Sequence, residues 1–249
     1  MFEFLMVFVF GLIIGSFCNV VIFRFPLGQS IVSPGSHCRT CLSPIRPWQN
    51  IPLFSYFLLR GRCRVCREPI SPRYPAVELA SGLLYVLLWL KFGLSLPLVV
   101  YALFSSALLV VALIDLDHKI IPDVITLPGM VLGLVLSPWA LIPTPLASFI
   151  GLLAGGLFFY IVAVISKGGM GGGDIKLIAM IGAFLGWQGV FFTIFVGALA
   201  GSVVGMILMI TKKKGRKDKV PFGPFLSFAA ILYTLLGDNI VHWYIQQIL

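Results

Sequence analysis

The chain has 249 residues, of which 59% are hydrophobic and 11% are charged, and its formal net charge at pH 7 is +9. Soluble globular domains are about 45–50% apolar, so this composition excludes an ordinary soluble protein and indicates a polytopic membrane protein. The apolar segments are long and continuous, and they do not alternate with polar residues. This pattern favours transmembrane helices over a β-barrel.

Eight apolar segments, taken in chain order, are predicted to form transmembrane helices, so the expected fold is an all-α polytopic membrane protein. A helix needs about 20 apolar residues to cross a bilayer, and the sixth segment is short by that measure. The first segment has no basic residue before it and ends at Arg24 without a small-residue cleavage site, so it predicts a helix and not a signal peptide. The predicted spans are residues 2–23, 75–92, 96–114, 124–142, 145–165, 175–187, 189–210 and 222–249.

The basic residues indicate which loops face the cytoplasm. All 18 of them except Lys91 lie in, or at the edge of, four loops: residues 24–75, 115–123, 166–174 and 211–221. With eight spans and the N-terminus outside, these four loops all fall on the inner side, where lysine and arginine concentrate. This topology explains the positive charge better than nucleic-acid binding does, so no nucleic-acid partner is expected.

The loop at residues 24–75 is a separate insertion, rich in proline, arginine and cysteine. It contains two Cys-x2-Cys pairs, and two such pairs supply the four thiolates of a tetrahedral zinc site. The alternatives are disulfides, which a reducing cytoplasm disfavours, and unliganded thiols. The sequence therefore predicts a small zinc-ribbon-like insertion that a structural zinc ion holds together. The predicted ligands are Cys38, Cys41, Cys63 and Cys66.

Two acidic turns follow apolar segments and fall on the same side of the predicted topology. Asp115 begins one turn, and Asp174 follows the last glycine of the glycine-rich stretch at residues 168–176. Two neighbouring carboxyl groups tend to share a proton, so one can take a proton from water while the other polarises a peptide carbonyl. The pair predicts aspartyl-type peptide hydrolysis, although each acid taken alone is also a plausible helix cap.

Six further polar residues are candidates for contacts with a substrate or cofactor. Plainer roles are available for several of them: a hydrogen bond between helices for Asn19, an interaction with the helix dipole for Glu78, and a helix cap for Asp123. The six candidates are Asn19, Arg24, Glu78, Asp117, Asp123 and Lys176.

Other classes of membrane protein also carry acids or zinc sites. A transporter places carboxylates on its pathway, but near the middle of the membrane and not at one face. A different intramembrane aspartyl protease would share the paired acids without the cysteine pairs. A zinc-ribbon interaction module on a membrane anchor would have no need of paired acids.

Taken together, these residues resemble the type IV prepilin peptidases, a family of bifunctional leader peptidases and N-methyltransferases. The resemblance covers nearly the whole chain, with one departure at Cys18, where an aliphatic residue is more usual. The motifs that carry it are Gly15–Arg24, the two cysteine pairs, Asp115 with Pro122, the Gly-x-Gly-Asp sequence at residues 171–174, and Val220–Pro224.

The resemblance implies a bacterial inner-membrane enzyme that cleaves the basic leader of prepilins or pseudopilins at the cytoplasmic face. It also implies N-methylation of the new terminal residue by S-adenosylmethionine. Asp115 and Asp174 become the catalytic pair, and the four cysteines become zinc ligands. The implied domains are a first helix at residues 1–23, a zinc-binding domain at 24–75 that is associated with methyl transfer, and a peptidase domain at 76–249. A basic leader is expected to seek the acidic turns.

Overall fold

The computed structural model describes residues 2–167, 169–211 and 220–248, with only the backbone of residues 238–248. The predicted basic cluster at residues 212–219 and Gly168 of the glycine-rich stretch lie outside the described residues. Within these ranges the chain is helical, and its only extended pairings are two isolated β-bridges. The helices are α1 (Phe2–Arg24), α2 (Phe54–Leu58), α3 (Arg73–Phe92), α4 (Leu96–His118), α5 (Asp123–Ala140), α6 (Pro145–Ile165), α7 (Gly172–Ile210) and α8 (Gly223–Ile248).

Six helices of the described chain are long and apolar enough to cross a membrane: α1, α3, α4, α5, α6 and α7. The part of α8 whose side chains are described, Gly223–Gly237, is a shorter apolar helix. Bulky apolar side chains remain exposed along all six long helices, as lipid contact requires. The all-α, multi-pass architecture expected from composition is therefore confirmed, whereas eight crossings stay a prediction.

Helix α7 combines the sixth and seventh predicted spans. It has 39 residues, and a straight helix of that length would measure about 58 Å at 1.5 Å per residue. The hydrocarbon core of a bilayer is only about 30 Å thick. The helix is broken at Gly186, where φ is 70° and ψ is −179°, a conformation that glycine adopts without a steric penalty. The break thus falls two residues before residue 188, the predicted boundary between the sixth and seventh spans.

The chain divides into two compact units, Met1–Leu98 and Val99–Leu249. In the first unit α1 packs along α3 through glycines, because a Cβ on Gly11 would lie 2.9 Å from the Cα of Gly82. Small residues allow this close approach between membrane helices. The division falls after α3, whereas the domain boundary predicted from sequence lies between residues 75 and 76 and stays a prediction.

In the second unit α7 packs against α5, α6 and α8. The ring of Phe184 in α7 also stacks on Phe104 of α4, with 4.3 Å between ring centroids. Residues 177–186 of α7 are all buried, so this stretch has no exposed face. Its crossing with α6 is closest at Gly182, where an added Cβ would overlap the carbonyl group of Gly151.

Gly182→Ala is therefore expected to destabilise the second unit by roughly 1–3 kcal/mol, since the helices would have to separate. Gly205→Ala is the matched control on the same helix, because its added Cβ meets nothing within 4 Å and alanine favours a helix over glycine. Thermal unfolding in detergent, followed by circular dichroism, should show a lower Tm for the first variant only. Equal Tm values would contradict the proposed closeness of the α6–α7 crossing.

Candidate functional site

Asp115 lies near the C-terminal end of α4 and is buried, with 6% of its surface exposed. Its Oδ2 atom accepts a hydrogen bond of 2.9 Å from the backbone N–H of Gly223. Gly223 begins α8, and the first N–H groups of a helix lack partners within the helix. A Cβ at position 223 would lie 2.7 Å from Oδ2. Glycine therefore lets the positive end of α8 reach this carboxyl group.

Asp174 is the third residue of α7, whose N-cap is Gly171; it is therefore not the N-cap itself. Its carboxyl group accepts a hydrogen bond from the N–H of Gly171, which resembles the return bond of a capping box. The second oxygen, Oδ1, is buried and has no hydrogen-bond partner within the described chain. Leaving such an atom unpaired costs about 1–3 kcal/mol, so capping accounts for only one of the two oxygens.

The fold brings these two carboxyl groups together. The Asp115 carboxyl acts electrostatically on Asp174, although the two residues lie in different helices and in separate sequence motifs. Neighbouring carboxyl groups of this kind titrate as a pair and hold one proton between them. In such a pair the ionised member can activate water, and the protonated member can polarise a carbonyl group.

The glycine-rich stretch seats the start of α7 against the turn that follows α4. A Cβ on Gly173 would lie 2.8 Å from the Cβ of Ile121, so the backbone at Gly173 and the side chain of Ile121 are in close contact. A Cβ on Gly172 would meet nothing within 4 Å. Only the second glycine of the Gly-x-Gly-Asp pattern is therefore required by packing against this turn, and the middle position is free to vary.

The remaining predicted polar residues of the second unit do not all gather at the carboxyl pair. Lys176 Nζ lies 2.6 Å from Oδ2 of Asp123, and both side chains are partly exposed. Asp123 is the first residue of α5, after the N-cap Pro122, so the predicted N-cap role for Asp123 is wrong. Asp117 is exposed near the end of α4. The ion pair joins two helices, and no local pattern in the sequence indicated it.

Four thiol groups form a second cluster, in the insertion of the first unit. The Sγ atoms all lie within 4.8 Å of one another, with 3.8 Å between Cys38 and Cys66 and 4.0 Å between Cys41 and Cys63. Four ligands about 2.3 Å from a tetrahedral zinc ion would be about 3.8 Å apart. The geometry therefore fits a four-thiolate metal ion.

The two halves of the cluster are copies of one turn. Cys38 N–H donates to the carbonyl of Ser43 at 2.9 Å, and Cys63 N–H donates to the carbonyl of Glu68 at 2.8 Å. Backbone N–H groups of Cys66 and Val65 lower the pKa of the Cys63 thiol to about 6, which favours the thiolate that a metal binds. The repeated pattern Cys-Arg-x-Cys-x-x-Pro at residues 38–44 and 63–69 is a sequence signal for this symmetry that the spacing argument missed.

Two buried polar candidates of the first unit lie between α1 and α3. Asn19 donates through Nδ2 to the carbonyl of Tyr74 at 3.0 Å, which is the bond between helices that its plainer role predicts. The carboxyl group of Glu78 accepts hydrogen bonds from the N–H of Leu53, at 2.9 Å, and from the Ser16 hydroxyl. Glu78 thus ties α3 to α1 and to the residue that precedes α2.

Arg24 anchors the insertion to the end of α1. Its guanidinium group is buried and donates to the carbonyl groups of Ser30, Pro34 and Gly35 at 2.7–3.1 Å. These bonds hold the segment that leads into the first cysteine pair. Arg24, Asn19 and Glu78 also line a cavity of about 460 Å³ in this unit.

Comparison with known proteins finds a matching family model for each of the two units. Residues 9–92 match the family model described as Bacterial Peptidase A24 N-terminal domain, and residues 102–206 match the one described as Type IV leader peptidase family. Each match falls inside one compact unit.

Several curated proteins called prepilin leader peptidase/N-methyltransferase are similar to this chain over nearly its full length. The one from Pseudomonas aeruginosa is 37% identical over 264 residues, which cover 95% of this chain and 91% of that protein. The one from Bacillus subtilis is 36% identical over 245 residues, which cover 97% and 98%. No solved structure matches the chain.

Proposed function

The chain belongs to the type IV leader peptidase family, and from this premise we propose that Asp115 and Asp174 form the catalytic pair that removes the leader of prepilins. The family makes the chain a membrane-embedded prepilin peptidase with N-methyltransferase activity. The observation that carries the proposed roles is the meeting of two carboxyl groups, one of which keeps a buried oxygen without a partner.

The hydrogen bonds of the two carboxyl groups support different roles for them in the reaction. Asp115 receives an N–H from the start of α8, which stabilises a negative charge there. Asp115 is the general base that takes a proton from water, and the oxygen of that water attacks the carbonyl carbon of the scissile peptide. Asp174 holds the shared proton on its unpaired oxygen and donates a hydrogen bond to the peptide oxygen. Collapse of the tetrahedral intermediate breaks the C–N bond, and the leaving nitrogen takes up a proton from the pair.

Cleavage exposes a new amino terminus, which is the methyl acceptor in the second reaction. S-adenosylmethionine, when bound, supplies the methyl group. The residues of this chain must hold the acceptor as a neutral amine and exclude water from the transfer. The presence of the intact insertion favours the bifunctional enzyme over a protease that only cleaves.

Zinc is the metal that the four thiols fit best, because a tetrahedral set of soft ligands is the usual structural zinc site. Four thiolates close the coordination shell, so the ion would stabilise the insertion and would not activate water. The ligands are Cys38, Cys41, Cys63 and Cys66.

Cys63→Ser is expected to weaken metal binding more than about a hundredfold, beyond the 10–100-fold that loss of an outer partner typically costs. Cys18→Ala is the matched control, because Cys18 is a buried thiol of α1 outside the cluster. Elemental analysis after purification should find about one zinc per chain for the control and wild type and far less for Cys63→Ser. An unchanged zinc content would contradict the four-thiolate site.

The proposed location is the bacterial inner membrane, with the N-terminus outside and the carboxyl pair at the cytoplasmic face. The distribution of lysine and arginine among the loops supports this orientation. A basic leader would be attracted to the carboxyl pair and to the acidic turn that contains Asp117 and Asp123. Prepilins and pseudopilins with such leaders are the proposed substrates.

One assay tests both activities. The purified chain is incubated with a prepilin and S-adenosylmethionine, and the intact mass of the product is measured. Loss of the leader together with the added mass of one methyl group is the expected result. Cleavage without the added methyl group would support the alternative of a protease that lacks methyltransferase activity. An unchanged substrate would contradict the proposal. A transporter would leave the substrate unchanged as well.

A further inference from the structure

The cavity of the first unit has the size and the lining of a small-molecule site. Its volume of about 460 Å³ falls in the range of about 300–1,000 Å³ that is usual for ligand pockets. Its wall comes from the ends of α1 and α3 and from both cysteine turns of the insertion. The peptidase residues Asp115 and Asp174 belong to the other unit, so the cleavage reaction does not account for this cavity.

Two buried polar side chains face this cavity. Glu78 is 9% exposed and Asn19 is 8% exposed, and both line it. The bonds from Leu53 and Ser16 occupy part of the accepting capacity of Glu78, since a carboxylate can accept about four. A buried carboxylate at the wall of a cavity attracts a cation.

Aromatic rings and a guanidinium group complete the lining. The Arg39 guanidinium lies 3.3 Å from the centroid of the Phe23 ring and 5.3 Å from that of Tyr74, and all three residues line the cavity. Aromatic faces accept a planar heterocycle, and an arginine fork binds a carboxylate. The cavity thus offers partners for a ligand that combines an aromatic base, a cationic centre and a carboxylate.

We propose that this cavity is the S-adenosylmethionine site and that Glu78 supplies the negative charge that recognises the sulfonium-bearing donor. The proposal rests on the methyltransferase function proposed above and assigns it a place in the first unit. Glu78 would favour the cationic donor over S-adenosylhomocysteine, the neutral product left after transfer. Cys38 and Cys63 also line the cavity, so the turns that would hold the metal form part of its wall.

The test measures binding and not turnover. The full chain in lipid nanodiscs is titrated by calorimetry with S-adenosylmethionine and, separately, with S-adenosylhomocysteine. Glu78→Gln keeps an oxygen that can accept the Leu53 N–H but removes the charge. It is expected to weaken binding of the donor roughly 10–100-fold, as loss of a charge-assisted contact does, and to weaken binding of the product less than about twofold. Glu3→Gln, an exposed acid outside the cavity, should change neither Kd.

Prepilin cleavage is measured for each variant as a check on folding, because it uses the other unit. If Glu78→Gln cleaves normally and binds both ligands as wild type does, or loses both equally, the charge recognition is wrong. If it fails to fold, Val20→Phe replaces it: Val20 lines the cavity, so the larger ring should abolish binding of both ligands while cleavage continues. Wild-type affinity in Val20→Phe would overturn the assignment of the cavity.

Failure of the site and failure of the proposed function have different signatures. If wild-type protein methylates and binds the donor, and none of the cavity variants changes the affinity, only the assignment of the site is overturned. Wild-type protein that cleaves prepilin but neither binds the donor nor methylates overturns the methyltransferase function together with the site.

Discussion

Asp174→Asn is expected to lower the rate of prepilin cleavage by at least about 10²–10⁴-fold, the usual contribution of a positioned acid or base. Asparagine has nearly the same shape and keeps an oxygen for the Gly171 N–H, so the start of α7 should remain folded. It cannot hold or transfer the proton that Asp115 and Asp174 share. Methylation of a pilin that has already been cleaved should continue, because the proposed donor site lies in the other unit.

The measurement is single-turnover cleavage followed by intact mass, with zinc content and Tm as checks on folding. Asp115→Asn should lose activity to a similar extent, and the double variant should be little worse than either single one, since residues that act as a unit are strongly non-additive. Glu3→Gln is the matched control, an exposed acid at the start of α1. Cleavage by Asp174→Asn near the wild-type rate would reduce Asp174 to a helix-capping residue.

The second large effect is expected at Gly173, which directly precedes Asp174 of the proposed catalytic pair. In Gly173→Ala the new methyl group would lie 2.8 Å from the Cβ of Ile121, so α7 must move away from the turn that follows α4, the helix that carries Asp115. A displacement of about 1 Å at reacting groups can lower a rate about 10²-fold. The expected result is a cleavage rate reduced by that order, with zinc content and donor binding unchanged.

Gly172→Ala is the control one residue away, because its methyl group meets no atom within 4 Å. Its cleavage rate should stay within about twofold of wild type. Adding Ile121→Gly to Gly173→Ala removes the clashing side chain and should restore part of the lost rate. Equal loss in Gly172→Ala and Gly173→Ala would indicate that backbone freedom of the loop, and not contact with Ile121, is what the motif requires.

Several properties of the protein follow from its sequence without any knowledge of helix packing. Continuous apolar segments predict the membrane helices, and their ends agree with α1, α3, α4, α5 and α6 to within a few residues. The spacing of Cys38, Cys41, Cys63 and Cys66 predicts a four-thiol cluster, which the structure contains. These properties can be read locally, because hydropathy and ligand spacing are set by residues near one another along the chain.

The properties that only the tertiary structure decided involve residues far apart in sequence. Asp115 bonds the N–H of Gly223, Lys176 pairs with Asp123, and the carboxyl of Glu78 reaches Leu53. Each pairing depends on which helices pack together and on how far one helix is shifted along the other. Many such arrangements would have nearly the same hydropathy pattern, so hydropathy does not distinguish them.

The sequence by itself therefore determined the class of protein, its membrane helices, the cysteine cluster and the two acids as candidates. The tertiary structure decided that one oxygen of Asp174 is capped and the other is left unpaired. It also decided that Glu78 faces a cavity, a feature that no motif marks. The physical reason is that composition and periodicity describe an element's own preferences, whereas hydrogen bonds, burial and cavities arise only when distant elements come into contact.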